Sequence, residues 1–294
     1  MKHDVQLTLS YSGGDTDEHA IDFYDVAQAL EGFQRSLALT THLVLNGEVI
    51  TQAPSLRGAR ILALPAEDGS WKITAGLIFT GLYAVGTLPN DSPLGHLVYS
   101  VYDYVISESL GVHVDYDKSL GQLYEESKEK KLRLTVPRQS QVDSLMEKCT
   151  FAITEMHRPI YKSGSAKEAS IIVNVRGQKM PLHARLDAET YEFIHETYSS
   201  EDAEVIEGRV SSYNSNTYKG RIYVLSIARP VAFELVENAR NDAAIGLITT
   251  SLSRNALRQF DSPDSAVFCR VFRKTSKSGT LKSFAIVELS GKPL

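Results

Sequence analysis

The stretch Glu207–Leu225, EGRVSSYNSNTYKGRIYVL, constrains the fold more than any other part of the chain. Runs of mixed apolar and polar residues flank Asn214-Ser215-Asn216, whose amide and hydroxyl side chains favour a tight turn by hydrogen-bonding nearby backbone. A strand pair needs further strands or a helix to cover its apolar face. The chain beyond it supplies candidates. Val231–Leu235 and Ile248–Leu252 read as short strands, Leu252–Phe260 as a short helix, and Val267–Lys274 with Leu281–Leu289 as a last hairpin. Just before it, Ser170–Val175 pairs with Lys179–Leu186 about Arg176-Gly177, and Asp187–Thr197 follows as a helix. Residues 169–294 are therefore expected to form a mainly antiparallel, barrel-like β domain.

The earlier half is read at a different period. Val5, Leu7 and Leu9 alternate as a first strand, and then Phe23, Val26, Ala27, Leu30, Phe33, Leu37 and Val44 fall at helical spacing. Asp15–His19 opens that helix and Asn46-Gly47 closes it, so the expected helix runs over Asp17–Leu45. Arg60–Ala66 and Trp71–Leu77 read as a hairpin about Asp68-Gly69, a favoured tight-turn dipeptide. Ser92-Pro93 starts a helix over Leu94–Leu110, and Ser140 starts another through Met156. Between these two, Tyr116–Leu134 carries charges of alternating sign and reads as a solvated helix or connector. The expected class is α+β: a helix-rich domain over 1–162, a linker over 163–168, and the β domain over 169–294.

One run resists the simple pattern. Ile73–Thr87 holds no charged residue and is bounded by Pro89, well short of the ~20 residues needed to cross a bilayer. A core helix under the sheet is expected there, and length alone argues against membrane contact. Conditional membrane disruption and self-association through its glycines Gly76, Gly81 and Gly86 are the alternatives.

Charge and cysteine content narrow the partners. Net charge is -5, which excludes a uniformly basic nucleic-acid coat but not a local basic face. The two cysteines, Cys149 and Cys269, have no metal-ligand spacing and read as buried free thiols. With no signal-like apolar run in MKHDVQLTLS, a reducing cytoplasm is expected.

No phosphate-binding glycine loop, zinc-protease helix or nucleophile elbow occurs, so no cofactor and no catalytic residue is assigned. Asp15, Asp17 and His19, with Glu18 and Asp22, are weak metal candidates and support the alternative of a metal-dependent hydrolase or nuclease. Acids at a helix start, however, oppose the positive end of the helix dipole, and the calcium-loop spacing is absent. Glu192 and His195 supply only one of the two Glu-x-x-His motifs that carboxylate-bridged sites need.

The most informative set is in the β domain. Tyr213, Tyr218, Lys219, Arg221 and Tyr223 lie within eleven residues, and Arg270, Arg273, Lys274, Lys277 and Lys282 decorate the last hairpin. Cations that neutralise phosphates beside aromatics that stack bases are the equipment of single-strand-binding barrels, which this part resembles in composition. Tyrosine and arginine are equally enriched in protein interfaces. The expected function is binding or assembly without catalysis. The β domain would contact a protein partner or single-stranded nucleic acid, and the first domain would self-associate into a homo-oligomer.

Overall fold

The computed structural model describes residues 5–64, 71–80, 94–115, 136–175 and 177–294. The Asp68-Gly69 turn, the Tyr116–Leu134 segment, Ser92-Pro93 and Arg176 lie outside the described residues. The chain forms two compact units, Met1–Ile194 and His195–Leu294.

In the first unit a five-stranded antiparallel sheet is built from β1 (Val5–Ser12), β2 (Ala59–Leu64), β3 (Lys72–Phe79), β4 (Glu168–Val175) and β5 (Gln178–Pro181), in the order β2-β3-β1-β4-β5. β1 lies at the centre. Its register with β4 runs from Val5↔Val175 to Ser12↔Glu168, which commits residues beyond the expected 163–168 linker to this first sheet. That pairing corrects the expected boundary, which falls at Ile194/His195 instead. The serine- and glycine-rich stretch is a loop inside one unit, because hydrogen-bonded neighbours are chosen by the sheet and not by local composition.

The inward rows Val5, Leu7, Leu9 and Tyr11 on β1 and Ile171, Val173 and Val175 on β4 are all buried. They pack against α1 (Phe23–Asn46), α2 (Leu94–Ser109) and α3 (Gln139–Met156) in one core. α1 begins later than expected. Its cap is Asp22, whose carboxylate accepts the Asp25 N–H at 2.9 Å, while Gly14–Glu18 is a separate 3-10 turn. Gly47, at φ 68, ends it in the left-handed region that glycine adopts without a Cβ clash. α1 and α3 cross closely at Gly32, where an added Cβ would stand 2.3 Å from the Ala152 carbonyl oxygen. Two short helices are also described in this unit, α4 (Arg158–Tyr161) and α5 (Ala188–His195).

The expected core helix over Ile73–Thr87 is corrected where the chain is described. Lys72–Phe79 is a strand, paired on both sides by β1 and β2. A strand flanked by neighbours and covered on one face needs no charged residue in its middle, so it mimics a buried helix in hydropathy. Residues 81–87 of that run lie outside the described residues. No described helix is long and apolar enough to cross a membrane.

The second unit contains β6 (Tyr198–Ser199), β7 (Glu204–Asn214), β8 (Lys219–Val224), β9 (Arg229–Leu235), α6 (Asp242–Ala256), β10 (Val267–Thr275) and β11 (Leu281–Ser290). The strands follow the order β9-β8-β7-β10, and β11 pairs with both β9 and β10, which closes a five-stranded barrel. β9–β11 is parallel, the other barrel pairs are antiparallel, and β6 adds to the edge of β10. The closed order β7-β8-β9-β11-β10, with a helix between its third and fourth strands in sequence, is that of the oligonucleotide-binding fold. The expected short strand Ile248–Leu252 is corrected to the middle of α6, whose buried Ala244, Ile248 and Ser251 recur at helical spacing. Asn241 caps this helix by accepting the Ala244 N–H at 3.0 Å.

Candidate functional site

The barrel places the ten residues singled out from sequence in three different settings. Tyr213 and Tyr218 belong to the interior end of the barrel. A β-bulge between Val210 and Ser212 shifts the register, so Tyr213 pairs with Gly220 and its ring stacks parallel to Phe233, centroids 6.3 Å apart. Gly220 itself faces Phe233, and the absence of a side chain there lets the two rings meet. Tyr218 adopts φ 55, packs against the same core, and lies beneath the Arg240 guanidinium at 4.7 Å. Burial raises the Tyr213 phenol above its ordinary range, with Tyr218 adding to it. Strict alternation from the inward Val210 would turn Tyr213 outward, and one inserted residue turns it inward instead.

The outward rows on β7, β8 and β9 are Arg209–Tyr223–Pro230, Ser212–Arg221–Ala232 and Asn214–Lys219–Glu234. This is the sheet face that barrels of this topology offer to oligonucleotides. Its middle row is closed: Ser212 is 4% exposed and Arg221 7%. Lys219 is exposed and Tyr223 half-buried.

On the last hairpin the cations are engaged within the unit. Arg270 pairs with Glu288 at 3.1 Å, Arg273 with Glu204, and Lys274 with Glu234. Lys282 donates to the Glu196 carbonyl at 2.9 Å and to the Thr197 hydroxyl at 2.7 Å, tying the approach to β6 onto β11. Burial, and then the nearby Lys274, depress the Lys282 ammonium below its ordinary range. Lys277 is exposed in the hairpin loop.

The acidic cluster of the first unit is not assembled as a ligand set. Asp17 accepts the Gly13 N–H at 2.9 Å, Asp22 caps α1, and Asp15 and Glu18 point to solvent. Among the described residues, no three His, Cys, Asp or Glu side chains converge to hold a metal ion. His157 bonds the Ile153 carbonyl and the Thr190 hydroxyl, a structural role, and His183 Nδ1 lies 2.6 Å from the buried Asp103 carboxylate. Both cysteines are buried free thiols, each pushed up to about 12 by desolvation.

Two features escaped the sequence reading. Arg209 lies with its guanidinium over the Phe260 ring at 4.8 Å, and Phe260 and Leu257 after α6 are exposed. In the first unit, Phe23 and Tyr24 are 86% and 63% exposed at the start of α1, beside the acidic turn. Helical spacing assigns Phe23 to the core, but it is the first residue of the helix and no later turn covers it.

Residues 202–290 match a family of unknown function, DUF7947, which spans the barrel. No curated protein and no solved structure matches the chain. The match to a domain of unknown function, DUF7946, covers residues 7–195, the first sheet from Leu7 onward with its helices, and the chain belongs to that family.

Proposed function

We propose that the chain is a non-enzymatic binding and assembly protein whose barrel contacts protein and not nucleic acid. The observation that carries this reading is the neutralisation of cations on the last hairpin. Arg270, Arg273 and Lys274 each face a glutamate, and Arg221 is buried. Single-strand binding depends on cations that exchange condensed counterions for phosphates. A cation already paired with a carboxylate must first give up that partner, and the carboxylate left behind repels the incoming phosphate. Protein interfaces tolerate matched charges, which set orientation and exclude wrong partners.

Fluorescence anisotropy of a labelled single-stranded DNA and a single-stranded RNA tests the reading, at about 50 mM and about 200 mM salt. The expected result is no salt-sensitive binding. Tight binding at low salt that collapses at the higher salt, and that Lys219→Glu or Lys277→Glu removes, would overturn it in favour of an oligonucleotide barrel.

A further inference from the structure

Two surfaces of this chain are complementary in chemistry, one on each unit. On the first unit, the segment from Asp15 to Tyr24 presents Asp15, Asp17, Glu18 and Asp22 next to Phe23 and Tyr24, all exposed. None of these four carboxylates is in an ion pair. The cations nearest to them do not cancel this charge. Arg158, which lies 5.2 Å from the centre of the Tyr24 ring, is already held by Asp25 at 2.9 Å and by Glu155, and Lys167 beside Gly13 is a single exposed cation.

On the second unit, half-buried Arg209 stands over the exposed Phe260 and across from half-buried Tyr223, Arg229 pairs with Val224 one register position along, and exposed Arg258 lies two residues before Phe260. In contrast to the cations of the last hairpin, none of these three arginines has an acidic partner. Glu207 and Asp261 are the acids closest to them in sequence, and they leave the patch net positive. Leu257, 63% exposed, extends its apolar part. Arginine beside aromatic rings is the composition of interface hot spots, where a flat guanidinium takes a carboxylate with two parallel hydrogen bonds.

Building on the protein-contact reading, we infer that the partner is a second copy of this chain: the acidic, aromatic segment Asp15–Tyr24 of one copy docks on the Arg209–Phe260–Tyr223 surface of another. The contact joins two different surfaces, so it is heterologous and is repeated from copy to copy. It also relocates the self-association expected of the first unit, from the run at Ile73–Thr87 to the start of α1. Opposite charges across the contact set the register, and Phe23 and Phe260 supply the apolar burial that charge pairs at a rim do not.

Light scattering on the full-length chain after gel filtration, from about 1 µM to about 200 µM, reads the assembly directly. The expected mass rises with concentration and falls back when salt is raised. The double variants Asp15→Lys/Asp17→Lys and Arg209→Glu/Arg258→Glu each weaken association at least about tenfold, as loss of hot-spot contacts does. Mixed together, the two variants form a one-to-one pair, because each retains the surface that the other has lost. Should Arg209→Glu lower the melting temperature, Arg258→Glu and Phe23→Ser, both at exposed positions, replace it in the same mixing experiment. A wild-type chain that stays monomeric throughout the range overturns the inference, as does a mixture that stays monomeric. Either result leaves the protein-contact reading standing with a different partner, whereas salt-sensitive oligonucleotide binding removes that reading itself.

Discussion

Gly32→Ala is the most discriminating perturbation of the first unit. Gly32 sits in the middle of α1, where alanine is normally preferred to glycine by ~0.8–1 kcal/mol because the glycine backbone loses more freedom on folding. The crossing of α1 and α3 opposes that gain. A Cβ at residue 32 would stand 2.3 Å from the Ala152 carbonyl oxygen and 3.2 Å from the Glu155 Cβ. The first of these atoms is backbone and cannot rotate away, so the two helices must separate. Overpacking of this kind costs roughly 1–3 kcal/mol, and a backbone obstacle places it in the upper half of that range. The net loss is about 1–2 kcal/mol, which in a unit of this size lowers the melting temperature by about 2–8 °C. Calorimetry of the full chain measures it, with Gly246→Ala as the paired control. Gly246 lies in α6 with nothing within 4 Å of its would-be Cβ, so alanine there is expected to stabilise by ~0.5–1 kcal/mol. If Gly32→Ala stabilises as Gly246→Ala does, the close crossing of α1 and α3 is refuted.

Three further outcomes follow from buried polar groups. Ser251 accepts the Val210 N–H at 3.0 Å and donates to the Ser265 carbonyl at 2.7 Å, so Ser251→Ala strands a buried donor at the bulge and costs about 1–3 kcal/mol in urea unfolding. The Cys149 and Cys269 thiols, raised to about 12 from 9.0, stay protonated in the fold while the unfolded chain ionises. Their contribution to stability is complete below pH 9 and is lost as pH rises toward 12, so Cys149→Ala should flatten the fall in denaturation midpoint over that window. Burial lowers the His42 imidazole from 6.5, opposed by Glu48 and assisted by Arg57, so its neutral form is favoured by folding. That contribution is present above pH 6.5 and lost as pH falls below it, and His42→Gln should remove this part of the acid sensitivity in the same assay.

Local signals carried much of the fold. Periodicity, with polar residues at turns, located α1, α2, the last hairpin and the Glu204–Val224 strand pair, because each is decided by contacts within a few turns or across one turn. Two features decided by distant partners were misplaced. The pairing of β4 with β1 joins residues about 170 apart, and the strand nature of Lys72–Phe79 depends on flanking strands supplied from both sides. The site was less legible still. Strict alternation from Val210 puts Tyr213 outward, and a single bulged residue reverses it. The ion pairs that neutralise Arg273 and Lys274 reach Glu204 and Glu234 on strands far away in sequence, so no local pattern announces them.

The barrel illustrates why strand order and function have to be argued apart. Its closed order and its helix between β9 and β10 are those of a fold often used for oligonucleotides, and on topology alone the face of β7, β8 and β9 is the natural binding surface. The side chains on that face argue otherwise. Ser212 and Arg221 are buried at its centre, and Lys274 reaches across to Glu234 at its edge. Unpaired positive charge is found instead around Phe260, at the loop after α6, where Arg209 and Arg258 stand beside exposed apolar side chains. A phosphate chain gains from a continuous track of cations, whereas a folded partner gains from a compact patch with an apolar centre and charges at its rim. The distribution here is the second kind. Moving a single charge tests it: Arg258→Glu should weaken protein contact, while Lys277→Glu on the hairpin loop should leave that contact unchanged.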